Sequence, residues 1–342
     1  MNRRPIVLLV VVAALAGCSS GGRLPDAVAG SAVPPEDNSV TYPACTEQEA
    51  AANVAVSSYA PLPELPAAGA QIDDAFVAAL RAKGTLVVGI SADTLQFGAR
   101  NLGYDPADPG GELPYEGFDI DMLVEVAIAL FGGDRSTIGE HLEFKAIPYK
   151  DRLPKLISGE VDIVAHTMTI NCRRWRQIAF SAEYFAAGQR VLVTKDSPYA
   201  TIADLDAAKA TVCVPAASTN EEALIADYPD VVRRAPADIS DCLVLLQQGA
   251  VAAITGDDTV LAGLAVQDPA TVVLGDQFTS EPYGLGVNKE NVYFVQFVNR
   301  VLADMVADGR WADSYDRWLV PSLTPDVGAP PVPDYSRPVP GT

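Results

Sequence analysis

The sequence predicts an α/β protein in two parts, and three observations carry that reading. Strand-like and helix-like segments alternate along the chain, and repeated β-α-β order implies parallel sheets covered by helices. The alternation runs through two successive series, from Thr85 to Ala165 and again from Arg190 onward. Of the 342 residues, about 320 remain after an amino-terminal leader, enough for two lobes of roughly 100 to 150 residues each. No stretch beyond the leader reaches about 18 consecutive apolar residues, so the body is expected to be soluble.

The leader comes first. Arg3 and Arg4 precede the apolar run Ile6 to Leu15, then the small residues Ala16 and Gly17, then Cys18, which is the order of an export signal. Roughly ten apolar residues are too few to span a hydrocarbon core that takes about 20. Leu15-Ala16-Gly17-Cys18 resembles a bacterial lipobox, which implies removal of residues 1–17, lipidation of Cys18 and retention on the extracytoplasmic face of the cell membrane. Each buried acyl methylene contributes about 0.8 kcal/mol, so several chains hold firmly where one does not.

Residues 18–69 are rich in Pro, Ala, Gly and Ser, and residues 321–342 carry prolines at 321, 325, 330, 331, 333, 338 and 340. Such segments bury too little apolar surface to offset chain entropy. The first is expected to be a flexible tether and the last a disordered tail. Between them Thr85–Ile90 reads as a strand, 119–131 has helical apolar spacing, Leu142–Ile147 is a second strand, Asp151–Ser158 a short helix and Val161–Ala165 a third strand. The second series holds strand Arg190–Thr194, strand Ala210–Val214, helices 219–227 and 241–248, and strand 251–255. Tyr283–Val287 reads as one further strand, and helices 291–308 and 310–318 close the fold.

A formal charge of −20 argues against a nucleic-acid partner, which needs Lys and Arg to neutralise phosphates. It says little about a small ligand, because a pocket sets its own local field. Five cysteines become four once Cys18 is lipidated, and an even number in an oxidising compartment points to two disulfides with three possible connectivities. Cys213 follows a strand-like entry and Cys242 opens a helical run about 30 residues later, which favours that pair and leaves Cys45 for Cys172. With two histidines and no CxxC spacing, neither a metal site nor a cofactor is expected. A GxSxG elbow, an HExxH motif and a Walker loop are all absent, so no catalytic residue is assigned and the protein is not read as an enzyme.

Gly84-Thr-Leu-Val-Val-Gly89, Gly117-Phe-Asp-Ile-Asp121, Gly159-Glu-Val-Asp162, Thr167-Met-Thr-Ile-Asn-Cys-Arg-Arg174 and Ile178-Ala-Phe-Ser181 follow one another along the chain. Asp241-Cys-Leu with Gln248-Gly249, then Asp257-Asp258-Thr259, then Gly309-Arg-Trp with Tyr315 and Trp318-Leu319 complete the series. In this set and order the chain resembles the extracytoplasmic solute-binding proteins of the polar amino-acid type, the receptor subunits of ABC importers. The resemblance covers about residues 80–320. It implies a Venus-flytrap fold, with lobe 1 at 70–184 plus 285–320 and lobe 2 at 185–284. Hinge strands would lie near 188–194 and 277–287, and an amino acid would be clamped between the lobes. It further implies a monomeric body and an ABC permease as membrane partner. A membrane sensor protein in place of the permease is the alternative, and a dehydratase-like enzyme on the same fold a remote one.

An amino acid at neutral pH presents a carboxylate, an ammonium and a side chain, which should be met at the carboxyl ends of strands. Strand 161–165 leads into His166, Thr167 and Thr169, and Asn171 reads as the N-cap of a helix whose first turn carries Arg173 and Arg174. Cations there oppose the helix macrodipole by about 0.3–1 kcal/mol, a conflict that a bound anion relieves. The resemblance makes Arg174 the clamp on the ligand α-carboxylate, with Arg173 and Arg176 at the surface. Ser218 with Glu221 reads as a capping box whose N–H groups also suit a carboxylate; by resemblance Ser218 and Thr219 touch the α-carboxylate from lobe 2. The resemblance makes Asp258 the α-ammonium partner, with Asp257 second because adjacent like charges are costly. Ser91, Asp93, Phe97, Tyr149, Arg152 and His166 would line the side-chain pocket. Arg152 and His166 together favour glutamate or aspartate, then asparagine or glutamine, and disfavour aliphatic ligands that leave polar groups unpaired.

Overall fold

A computed structural model describes residues 45–50, 55–107, 112–321 and 328–341; the leader, the lipobox and Cys18 lie outside the described residues. Leu86–Ile90 is buried at all five positions, as a continuous apolar run must be when both faces of its sheet are covered. It pairs in parallel with Leu142–Ala146 on one side and Ile163–Ala165 on the other. Gly286–Asn288 adds antiparallel to Ile163–Ala165, and Ile178–Phe180 closes that edge. Helix Phe118–Phe131 begins with two buried acids that are fully used. Asp119 accepts from the Thr167 N–H and the Tyr184 hydroxyl, and Asp121 from Ser314 and Trp318. This sheet and its helices form lobe 1.

Lobe 2 repeats the plan. Thr211–Cys213 lies parallel between Val232–Arg234 and Ala253–Asp257, followed by antiparallel Gln189–Thr194 and Thr271–Leu274. Each sheet is therefore mixed rather than wholly parallel, its last two strands lying where the chain crosses between lobes. The crossings meet in a two-stranded antiparallel hinge, Phe185–Ala187 with Glu281–Tyr283.

The single strand expected at Tyr283–Val287 is divided in two. Glu281–Tyr283 belongs to the hinge and Gly286–Asn288 to lobe 1. The crossing between them is tight enough that a Cβ on Gly284 would sit 2.7 Å from the Ile170 side chain.

Both favoured disulfides are formed. Cys213–Cys242 ties a strand of lobe 2 to helix Ile239–Gln247, with Cα atoms 5.5 Å apart, and Cys45–Cys172 joins Cα atoms 6.2 Å apart over a separation of 127 residues.

The chain ends depart from expectation. Residues 55–66, inside the expected tether, and 328–341, inside the expected tail, pack together on lobe 1. The Ser58 N–H donates to Asp334 O and the Arg337 N–H to Ser58 O, while Asn299 donates to Ser58 Oγ and Tyr59 O. The Arg337 guanidinium lies 3.7 Å from the Trp175 ring centroid. Composition misses this because only a few side chains, Tyr59, Leu62 and Val339 among them, reach the core of lobe 1, and prolines reduce the unfolded-chain entropy that docking removes. Among the described residues no helix is long and apolar enough to cross a membrane.

Candidate functional site

Lobe 1 reaches the cleft with the loop after Ile163–Ala165. Thr167 has φ 41°, a left-handed conformation that costs a non-glycine residue roughly 1–2 kcal/mol; the Asp119 carboxylate holds its N–H at 2.8 Å. Asn171 caps the next helix, accepting from the Arg174 N–H at 2.9 Å. Arg174 is 2% exposed and donates through Nη1 to Thr169 O at 2.6 Å. Burial, and then the like charge of Arg152, lower its pKa well below the usual arginine value, while Glu281 and Asp257 act in the opposite sense.

Arg152 is buried beside it, donating to Tyr149 O at 3.0 Å and His166 O at 3.1 Å, its guanidinium 4.6 Å from the Tyr149 ring centroid. Burial lowers its pKa too. His166 bonds through Nε2 to Ile147 O at 2.9 Å. A carbonyl only accepts, so Nε2 carries the hydrogen and Nδ1 is a bare acceptor. Burial and then Arg152 push the His166 pKa down to about 3, keeping the ring neutral. Ser91 Oγ donates to Asp93 Oδ1 at 2.9 Å.

Lobe 2 reaches the cleft with two loops. Ser218 Oγ donates to Pro215 O at 2.7 Å and accepts from the Glu221 N–H at 3.1 Å, so this hydroxyl is spent on its own turn. Glu221 reaches back to the Ala217 N–H and pairs with Arg233. Strand Ala253–Asp257 runs on to Asp257, which is 5% exposed. Asp257 accepts from Asn220 Nδ2 at 2.7 Å and from the Tyr283 hydroxyl at 2.6 Å. Its pKa is pushed up to about 8, first by burial and then by the nearby carboxylate of Glu281.

The order expected for the two neighbouring acids is reversed in placement. Asp258, expected as the α-ammonium partner, begins a helix and turns its carboxylate to Gln277 Nε2 at 2.6 Å and the Gly188 N–H at 3.4 Å. The strand runs through Asp257 and stops, so Asp257 ends it buried while Asp258 opens the following helix. Phe97 also departs from the expected pocket, packing against Phe118, Phe185 and Tyr283 in the core of lobe 1. Arg173 is no surface residue, since it pairs with Glu222 across the cleft with both side chains largely buried.

Further contacts close the two lobes on each other. The Ser240 N–H of lobe 2 donates to Asp93 Oδ2 at 3.2 Å, and Thr169 and Thr219 bring their hydroxyl oxygens to 3.2 Å. The cluster is therefore enclosed, and a cavity of about 370 Å³ beside Tyr104, Leu113 and Phe144 contains none of it. Three members had no signal in the sequence reading: Glu281 and Tyr283 on the hinge strand, and Asn220. Glu281 and Tyr283 fall within the hinge strand expected near 277–287, but nothing in that expectation aimed their side chains at the ligand.

The family described as bacterial extracellular solute-binding proteins, family 3, matches residues 82–321. The ABC transporter glutamine-binding protein GlnH of Bacillus subtilis is 30% identical over 71% of this chain and 84% of its own length. The glutamate-binding protein GluB of Corynebacterium glutamicum is 30% identical over 74% and 83%. An ancestral arginine-binding protein solved with glutamine superposes with a TM-score of 0.61 at 30% identity, covering 69% of this chain and 98% of its own. This chain belongs to family 3 of the bacterial extracellular solute-binding proteins.

Proposed function

We propose that this family 3 solute-binding protein closes on a polar α-amino acid, glutamine ahead of glutamate, and hands it to an ABC permease from a lipid anchor on Cys18. The observation that carries the reading is the enclosed cluster in which buried Arg174 and Arg152 of lobe 1 meet buried Asp257 of lobe 2. Arg174 takes the ligand α-carboxylate through the part of its fork not bonded to Thr169 O, and Asp257 takes the α-ammonium. Closure of the lobes is then the step that a ligand touching both sides favours.

Three features turn the preference from glutamate to glutamine. Arg152 commits two donors to backbone carbonyls, His166 is neutral, and Glu281 adds a buried acid near Arg174. An acidic side chain would bring one more negative charge into a low-dielectric cluster already holding Asp257 and Glu281. The relatives named for glutamine and glutamate support both members of the class.

A thermal-shift and calorimetric screen of glutamine, glutamate, asparagine and aspartate tests the reading, with Arg174→Ala expected to abolish the shift. It fails if none of these amino acids raises the melting temperature while a sugar or dipeptide does. For the anchor, Cys18→Ser is expected to release the protein from the membrane fraction and to end labelling by a fatty-acid analogue.

A further inference from the structure

The hinge strand carries into the cleft a carboxylate that the amino-acid contacts above leave unused. Glu281 is 2% exposed. Its Oε2 accepts from the Thr169 hydroxyl of lobe 1 at 2.6 Å and the Thr219 hydroxyl of lobe 2 at 2.7 Å, and its Oε1 from Thr279 at 2.7 Å. A threonine hydroxyl has one hydrogen and two lone pairs. Once Thr169 and Thr219 have each given that hydrogen to Glu281, neither can donate to anything else, and their oxygens can only accept. A ligand carboxylate, itself acceptor-only, gains nothing from such a pair. An ammonium gains two partners.

We propose that Glu281 is a positioning residue that fixes the Thr169 and Thr219 hydroxyls as a pair of acceptors for the ligand ammonium and withdraws the Thr219 hydroxyl from carboxylate recognition. The inference rests on the amino-acid reading and deepens it. Asp257 stands in the same relation to its neighbours, accepting from Tyr283 and Asn220, so the side chains on the acid-bearing side of the cleft offer lone pairs while the guanidinium donors belong to lobe 1. One acceptor comes from each lobe, so the ammonium site is assembled only when the lobes meet.

The test compares L-glutamine with its analogue lacking the α-amino group, glutaric acid monoamide, by titration calorimetry. The unmodified protein is expected to bind glutamine at least about a hundredfold more tightly, since hydrogen bonds to charged groups are the strong ones. Thr219→Val keeps the shape and removes one acceptor; glutamine affinity should fall about tenfold while the analogue is unaffected, so the ratio shrinks. Glu281→Gln should shrink the same ratio, because the hydroxyls regain freedom to turn. If Glu281→Gln does not fold, as judged by its unliganded melting curve, Thr219→Val still decides. Equal weakening of both ligands by Thr219→Val overturns the proposal and leaves the amino-acid reading standing. Failure of the unmodified protein to bind any amino acid overturns both.

Discussion

Lobe 1 arrives at the cleft with two buried arginines, whereas lobe 2 and the hinge strand arrive with two buried carboxylates. The sheets behind them share one plan, so the difference lies in the residues that their strand and helix ends bring to the cleft. Each half is incomplete in the same sense: desolvating a charge costs more than it returns unless an opposite charge and well-placed hydrogen bonds face it, and here those come from the other side. The loops are also held differently. The lobe 1 loop is secured by Asp119, by the Asn171 cap, by the Cys45–Cys172 disulfide, and by Trp175 standing edge-on to Tyr59 with Arg337 over its face. The lobe 2 loop is secured from within, by Ser218 on Pro215 and Glu221 on Ala217. Both contain a non-glycine residue at positive φ, Thr167 at 41° and Ala217 at 59°, and such strain persists only where surroundings over-determine it.

Breaking the cationic half should have the largest effect. Arg174→Ala is expected to weaken glutamine binding by a hundredfold or more, read by calorimetry. Next comes the acidic half. The Asp257 pKa is raised to about 8, so below that pH the unliganded carboxyl holds a proton that an incoming ammonium displaces. Affinity should therefore rise with pH toward 8, by at most about tenfold per unit, with proton release visible as a buffer-dependent binding enthalpy. Asp257→Asn should flatten that dependence. The same raised pKa means that the stability of the unliganded protein declines as pH climbs from the ordinary carboxylate range through about 8.

A smaller effect separates the lobes by stability. Replacing Cys213 and Cys242 by serine should destabilise lobe 2 by about 2–4 kcal/mol, seen as earlier hydrogen exchange in 189–274 than in the lobe 1 sheet. The smallest concerns the external brace. Arg337→Ala should cost about 0.5–1 kcal/mol in stability and reduce affinity slightly, because Trp175 follows Arg174 directly.

Much of this comparison was legible before any coordinates. Alternating elements placed most strands and helices, and cysteine positions placed both disulfides, because each depends on local pattern or on a short count. Arg152 and Arg174 stood out as cations in first helical turns, and both are buried. Glu281 did not stand out, since its partners Thr169 and Thr219 lie 112 and 62 residues away and meet only through closure. The choice between Asp257 and Asp258 depended on how far a strand continues, and it continues to the first of them. The docked ends were missed because proline-rich composition speaks to average burial, not to the few side chains that find a seat.

The Cys45–Cys172 bond also sets where mechanical load enters. Tension applied to the amino-terminal end passes through the crosslink to Cys172 and bypasses the 127-residue separation it spans, including the first strands of lobe 1. Roughly 400 Å of contour length is thereby hidden from extension, and would appear in a pulling experiment only under reducing conditions. The force instead arrives one residue from the Asn171 cap and two from Arg174, so strain on the amino-terminal end is delivered to the turn proposed to grip the ligand.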